Sequence, residues 1–325
     1  MPAPVPAEVS VVVLDDYQDV ALSIADWSPL AGRAQVVRHT DHLADADALV
    51  ERLAAADVVV AMRERTAFPA ELLARLPRLR LLVTTGMANA AIDLAAAARQ
   101  GVVVSGTAGG SAATAELAWA LVLTVARDVA GDDRAVRAGR WQEHLGIELS
   151  GSTLGLLGLG RIGAAVAGYA HAFGMEVVAW SENLTAERAA GYGARLVDRA
   201  ELFCASDIVS VHLRLSDRTR GLVGARELQL LGPAGRLVNT SRGPIVDEAA
   251  LLAALHAGTI AGAALDVFDV EPLPADHPLR TAPRTVLTPH IGYVSRQSYA
   301  AMYGQCVEDI LAWLDGAPVR VLTPS

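Results

Sequence analysis

Short β-branched runs alternate with Ala- and Leu-rich stretches along almost the whole chain, and this leaves few folds open. Val9–Leu14, Val58–Ala61, Leu81–Thr84 and Val102–Ser105 read as strands, with Ala46–Ala55, Pro69–Leu76 and Ile92–Arg99 as the helices between them. Strands separated by helices of this length predict a parallel sheet covered on both faces. A second series follows: Thr153–Leu157, Glu176–Trp180, Ile208–Leu213, Leu237–Asn239, Gly262–Val267 and Val286–Leu287. A long helix, Ala112–Arg127, and an arm, Gly131–Glu148, with Gly139-Arg140-Trp141 inside it, lie between the two series. The length and apolar face of the long helix predict burial between domains or subunits. The last helix, Ser295–Leu314, has no strand partner of its own, so it is expected to return to the first series.

Composition narrows the partners. Hydrophobic residues make up 52% of the 325 and charged residues 19%, enough for sizeable cores and too few charges for disorder. With a net charge of −9, non-specific nucleic-acid binding is not expected. The longest apolar stretch, Ala112–Ala126, contains Glu116 and is too short for a bilayer, so no membrane role is expected. The Pro/Ala-rich start, Met1–Glu8, has no basic region ahead of an apolar one and does not read as a signal peptide. The default is a soluble, cytoplasmic enzyme. Cys204 and Cys306 read as separate reduced thiols, and no metal site is expected.

Between Thr153–Leu157 and a helix predicted over Ile162–Phe173 lies Gly158-Leu159-Gly160-Arg161-Ile162-Gly163. A G-x-G-x-x-G in this strand–turn–helix setting is the fingerprint of dinucleotide binding. Gly158 permits the tight turn, Gly160 lets the backbone approach a pyrophosphate, and Gly163 lets the helix pack close to the strand. The phosphates would sit over the helix N-terminus, where free N–H groups favour anions. Arg161 at its mouth would add a charge-assisted contact. The predicted architecture is therefore α/β with two Rossmann-like doubly wound parallel-sheet domains. A dinucleotide domain over residues 106–294 is inserted into a discontinuous substrate domain, 1–105 plus 295–325.

The residue ending the second strand of such a unit selects the cofactor. An acid there holds the ribose 2′-OH of NAD, whereas an Arg accommodates the 2′-phosphate of NADP. Here Ser181 occupies that place and Glu182 follows it, with no Arg adjacent. NAD is favoured and NADP stays open.

Three further segments each put a polar residue just after a predicted strand, at the edge where open α/β sheets bind ligands. They are Val238-Asn239-Thr240-Ser241-Arg242-Gly243, Ala264-Leu265-Asp266 continuing to Glu271-Pro272, and Leu287-Thr288-Pro289-His290-Ile291-Gly292. With these in order after the glycine turn, the chain resembles the D-isomer-specific 2-hydroxyacid dehydrogenases, which include phosphoglycerate dehydrogenases and glyoxylate/hydroxypyruvate reductases. The resemblance runs from about Arg63 to Trp313. It includes Ala115-Glu116-Leu117 on the long helix and Val211-His212-Leu213-Arg214-Leu215, with Thr219 farther on.

The resemblance implies hydride exchange between a nicotinamide cofactor and a small 2-oxo or 2-hydroxy acid. His290 would be the acid/base, a role suited to a group that titrates near neutral pH. Glu271 would fix the ring's tautomer and favour its protonated form. Arg242 would hold the substrate's carboxylate and carbonyl with a planar fork that Lys cannot copy. Asp266 would lie near the nicotinamide amide, and Arg161, Ile162, His212, Thr219 and Thr240 would line the cofactor. Arg63 and the loop residues Met87 and Ala88 would face the substrate. The family's second glycine in that loop is Ala88 here, and Arg214 stands where Pro is usual. A homodimer is also implied, with the long helix and the Trp141 arm as interface. Two other functions stay open: a non-catalytic NAD(H)-sensing protein on the same fold, and a formate-type dehydrogenase, suggested by Asp276-His277-Pro278-Leu279-Arg280. That last subgroup pairs its His with Gln, and Glu271 argues against it. The other histidines, His277 included, carry no motif and read as surface or core residues.

Overall fold

The structure, a computed structural model, describes residues 8–324, so nearly all of the Pro/Ala-rich start lies outside the described residues. These residues form two compact units: residues up to Gly110 together with those from Val294 onward, and Ser111–Tyr293.

The first unit is a parallel sheet of β1 (Val9–Val13), β2 (Ala34–Arg38), β3 (Val58–Ala61), β4 (Leu81–Thr84) and β5 (Val103–Gly106), in the order β2-β1-β3-β4-β5. Helices α1 (Ala21–Ile24), α2 (Ala46–Leu53), α3 (Ala70–Leu73) and α4 (Leu94–Arg99) connect the strands. The inner strands β3 and β4 are buried at every position, as expected for a sheet covered on both faces. β2 was not legible in the sequence. It is an edge strand, Ala-Gln-Val-Val-Arg, partly exposed throughout, so its residues carry no core signal. The two longer connecting helices begin with aspartate caps: Asp45 accepts from the Ala48 N–H and Asp93 from the Ala96 N–H, each at 2.8 Å.

The last helix belongs to this unit. It is numbered α12 after the elements of the second unit and spans Arg296–Leu314. Ser295 caps it, and Tyr303, Cys306 and Ile310 are fully buried on its inner face. The tail beyond it pairs antiparallel with β5 at Ser105 and Val321, which covers that sheet edge.

The second unit begins with α5 (Ala112–Arg127) and α6 (Val129–Arg137), then alternates: β6 (Thr153–Leu157), α7 (Arg161–Ala172), β7 (Glu176–Trp180), α8 (Ala186–Ala190), β8 (Arg195–Leu196), α9 (Arg199–Ala205), β9 (Ile208–Val211), α10 (Ala225–Leu231), β10 (Arg236–Asn239), α11 (Glu248–Ala257), β11 (Gly262–Leu265) and β12 (Thr285–Leu287). The buried face of α5, including Trp119, Val122 and Val125, packs with Leu154, Leu156, Val238 and Ala264 of this unit's own sheet and with Val166 and Ala167 of α7. Much of the apolar face expected to be buried between domains or subunits is therefore core of this unit. Each large side chain there contributes roughly 1.5–3 kcal/mol. The arm also begins later than expected. Asp128, in a left-handed conformation, accepts from the Gly131 N–H at 3.1 Å and starts α6, so within the expected arm residues 138–148 are the part without helix or strand.

All strand pairs of the second sheet are parallel, in the order β12-β11-β10-β9-β6-β7-β8. The chain builds outward from β6 to β8, crosses back, and builds the other way from β9. β6 and β9 are therefore neighbours on either side of the topological switch, where open α/β sheets hold their ligands. No helix among the described residues is long and apolar enough to cross a membrane.

Candidate functional site

The glycine turn leaves β6 at this switch. Gly158 has φ +106°, and a Cβ there would lie 2.8 Å from the His212 carbonyl, at the end of β9. A Cβ on Gly163 would meet the Gly158 carbonyl oxygen at 2.2 Å. These two glycines are required by the protein's own packing. Gly160 differs: it caps α7, no side chain satisfies the helix's first N–H groups, and nothing lies within 4 Å of an added Cβ. The first turn of α7 holds no acid and opens with exposed Arg161, followed by half-buried Ile162. Two buried polar atoms complete the picture: Thr240 Oγ1 after β10 and His212 Nδ1 after β9 have no hydrogen-bond partner among the described residues. Burial lowers His212 to about 4, so its ring is neutral near pH 7, with Nε2 2.9 Å from the Ser210 hydroxyl. An uncapped helix start over open space, beside unsatisfied polar atoms, fits a dinucleotide.

At the end of β7, a shallow depression of about 430 Å³ is lined by Trp180, Ser181, Glu182, Leu196, Asp198 and Glu201 among others. Its charged lining residues are all acidic. Thr219 sits apart in a turn of its own, where its hydroxyl donates to the Arg214 carbonyl at 2.7 Å and accepts from the Ser216 N–H at 2.8 Å. It therefore shapes the loop that carries Arg214.

The carboxyl ends of β10, β11 and β12 lead into the segments that carry Arg242, Asp266, Glu271 and His290. Asp266, after β11, is fully buried, and burial raises its carboxyl above the usual range. One of its oxygens accepts from the Thr288 hydroxyl at 2.6 Å and the Ile291 N–H at 2.8 Å, and the other from the Gly292 N–H at 2.9 Å. Expected beside the nicotinamide, Asp266 is thus also the clamp that shapes the loop around His290. His290 itself holds φ +53°, a left-handed conformation that a non-glycine residue adopts only when its surroundings impose it. The Asp266 clamp supplies that constraint.

Glu271 Oε2 lies 2.5 Å from His290 Nδ1, and its Oε1 accepts from the Phe268 N–H at 2.9 Å. Both side chains are half-buried. Across the ring, Tyr293 packs edge-on at a centroid distance of 5.6 Å. An ionised carboxylate only accepts, so the ring's Nδ1 donates to it and Nε2 takes no part in this pairing.

Arg242 follows β10, and Asn239 decides how it is presented. The Asn239 side chain donates to the Arg242 carbonyl and accepts from the Ser241 N–H, each at 3.0 Å, while the Ser241 hydroxyl donates to the Val211 carbonyl at 3.0 Å. Arg242 Nη1 donates to the Ser241 carbonyl at 2.7 Å. The sequence alone does not assign Asn239 a role, although an Asn that closes a turn on its own backbone is a recognisable signal.

In the first unit, Arg63 and the Gly86-Met87-Ala88 loop leave the carboxyl ends of β3 and β4. Arg63 adopts φ +54°, and its carbonyl accepts from Asn89 Nδ2 at 2.6 Å. Its guanidinium lies over Gly86, where a Cβ would be 2.3 Å from Nη1. Met87 and Ala88 are exposed at the loop tip.

A parallel sheet with a glycine turn at its switch point and a hydrogen-bonded Glu271–His290 pair along the same edge fits a dinucleotide-binding oxidoreductase. Residues 119–292 match the model of the D-isomer specific 2-hydroxyacid dehydrogenase NAD-binding domain. The chain is 42% identical over 256 residues to glyoxylate reductase of Aeropyrum pernix, covering 76% of each chain. It is 38% identical to D-3-phosphoglycerate dehydrogenase of Archaeoglobus fulgidus over 80% of this chain and 50% of that one. The structure matches phosphoglycerate oxidoreductase from Vibrio cholerae with a TM-score of 0.90, 36% identity, and coverage of 95% of this chain and 100% of the other. The chain belongs to the D-isomer specific 2-hydroxyacid dehydrogenase family, and its cofactor is NAD. Among the described residues no cluster of side chains is suited to a metal ion.

Proposed function

We propose that the protein reduces a small 2-oxo acid to its D-2-hydroxy acid, with His290 as the acid/base, Glu271 as its partner and Arg242 as the substrate's anchor. The observation that carries this reading is the 2.5 Å pairing of Glu271 with Nδ1 of His290, on the sheet edge that also presents Arg242. Bound NADH supplies the hydride that reduces the carbonyl carbon. The protein supplies the proton: His290 gives it from Nε2 to the carbonyl oxygen, and Glu271 stabilises the imidazolium that must form before transfer. In the oxidative direction the neutral ring takes the proton back. Arg242 holds the substrate's carboxylate and carbonyl oxygen with its fork and polarises the carbonyl. Within the first unit, the substrate-facing residues of this reading are Arg63, Met87 and Ala88.

The open space over Gly160, Arg161 and the polar atoms of Thr240 and His212 would hold the cofactor, with Gly158, Ile162 and Gly163 shaping that surface. Ser181 and Glu182 would meet its adenosine ribose, and the acidic lining there disfavours the extra phosphate of NADP. Asp266 reaches the nicotinamide side through the loop that it clamps. The exposed Trp141 and Leu145 on the 138–148 arm support a homodimer.

Relatives named for glyoxylate and hydroxypyruvate reduction make those two acids the first substrates to test. Loss of NADH absorbance with either, over a panel of 2-oxo acids, is the expected result. NADH binding without turnover on any member of the panel would overturn this reading in favour of a sensing protein, and NAD reduction by formate alone would overturn it in favour of a formate enzyme.

A further inference from the structure

Glu271 stands on a segment without helix or strand, between β11 and the short 3-10 turn Pro278–Thr281. A carboxylate that fixes a catalytic ring needs a fixed backbone, and such a segment does not supply one by itself. Upstream, the segment is held by the Phe268 N–H on Glu271 itself. Downstream, one side chain does the holding. Arg280 Nε donates to the Pro274 carbonyl at 2.6 Å and its Nη2 to the Leu273 carbonyl at 2.5 Å. A single guanidinium therefore draws together the carbonyls of two residues that closely follow Glu271.

The base of this fork is itself anchored. Leu279, next to Arg280, is buried to 1% exposure in the core of the unit. His277 accepts from the Leu279 N–H through Nδ1 at 3.3 Å, and its Nε2 lies 3.0 Å from the Glu248 carboxylate on α11. The His277 N–H also donates to the Pro274 carbonyl at 3.2 Å. The stretch from Leu273 to Arg280 is thereby closed on itself and pinned to a helix. His277 and Arg280 are thus placed in a structural device.

We propose that Arg280 is a positioning residue for the Glu271–His290 pair, its fork across the Leu273 and Pro274 carbonyls keeping the Glu271 carboxylate on the ring. The inference rests on the acid/base reading of that pair. Arg280 touches neither reacting group; it acts through the backbone that carries Glu271. Lys, with one ammonium on a flexible stem, copies the fork only in part.

The test is the pH dependence of 2-oxo acid reduction by wild type, Arg280→Ala, Arg280→Lys and Glu271→Gln, together with NADH affinity and thermal unfolding of each. Glu271→Gln removes the charge that favours the imidazolium, so the basic limb of the reduction profile moves to lower pH. Arg280→Ala is expected to move that limb in the same direction and to lower kcat roughly ten-fold, with substrate KM and NADH affinity little changed. Arg280→Lys should recover part of both effects. If Glu271→Gln moves the limb and Arg280→Ala does not, or Arg280→Ala loses activity only in step with its folding, the positioning role is overturned and the acid/base pair stands. A limb unmoved by Glu271→Gln overturns the pair and, with it, the role of Arg280.

Discussion

Gly243 is backed directly against Phe268: a Cβ on Gly243 would lie 2.1 Å from the Phe268 carbonyl carbon and 2.6 Å from the Asp269 nitrogen. The loop that presents Arg242 thus rests on the backbone of the loop that presents Glu271. Both contacting atoms are main chain, so neither loop can give way without moving a candidate site residue.

Gly243→Ala should therefore affect stability and activity together. Overpacking against a fixed backbone costs about 1–3 kcal/mol. The Tm is expected to fall, and kcat/KM to fall further than the unfolded fraction explains, because Arg242 and Glu271 are displaced. Thermal unfolding and steady-state kinetics on the same preparation measure both, and wild-type values for each would contradict the contact.

The glycine turn separates fold from function residue by residue. Gly160→Val adds a side chain into open space at φ −86°, which any residue adopts, so the protein should fold normally while NADH binding is lost. Gly163→Ala drives a methyl into the Gly158 carbonyl oxygen and should lower the Tm as well. Fluorescence titration with NADH beside a melting curve distinguishes the two; unimpaired NADH affinity in Gly160→Val would show that the pyrophosphate does not pass over this turn.

NADH should be preferred over NADPH, because the charged residues that line the depression after β7 are Glu182, Asp198 and Glu201, of which Glu201 is paired with Arg195. Glu182 is exposed, so Glu182→Arg leaves the fold alone. It should raise kcat/KM for NADPH by on the order of ten-fold, the effect of about 1.4 kcal/mol of differential binding. Equal turnover with both cofactors in wild type would place the ribose elsewhere.

His212 predicts a pH signature in stability. Burial lowers its folded value from 6.5 to about 4, so folding favours the neutral ring. The stabilising effect is complete above 6.5 and is lost as pH falls from 6.5 toward 4, where the unfolded chain binds a proton that the folded one refuses. The full loss is on the order of 3 kcal/mol. His212→Asn should flatten the stability profile in that window, as read by denaturant unfolding at several pH values. An unchanged slope would mean that the ring is better solvated than its surroundings indicate.

Much of this was determined by the sequence alone. Hydrophobic periodicity is a local signal, so most strands of both sheets appear in order, along with the glycine turn and the polar residues that end β7, β9, β10, β11 and β12. Where local signal fades, the structure added elements: β2 is an edge strand with Gln and Arg in it, β8 is an edge strand of only two residues, and α6 begins on a left-handed Asp128 that no periodicity announces. Tertiary structure alone decided the relationships between segments. Strand order put β9 beside β6 and His212 against the glycine turn; a loop clamped by Asp266 brought His290 onto Glu271, 19 residues away in sequence; and Arg280 closed the segment in between. Those outcomes depend on which backbone groups meet across the sheet and its loops, and such pairings are set by packing between distant segments rather than by the residues on either side.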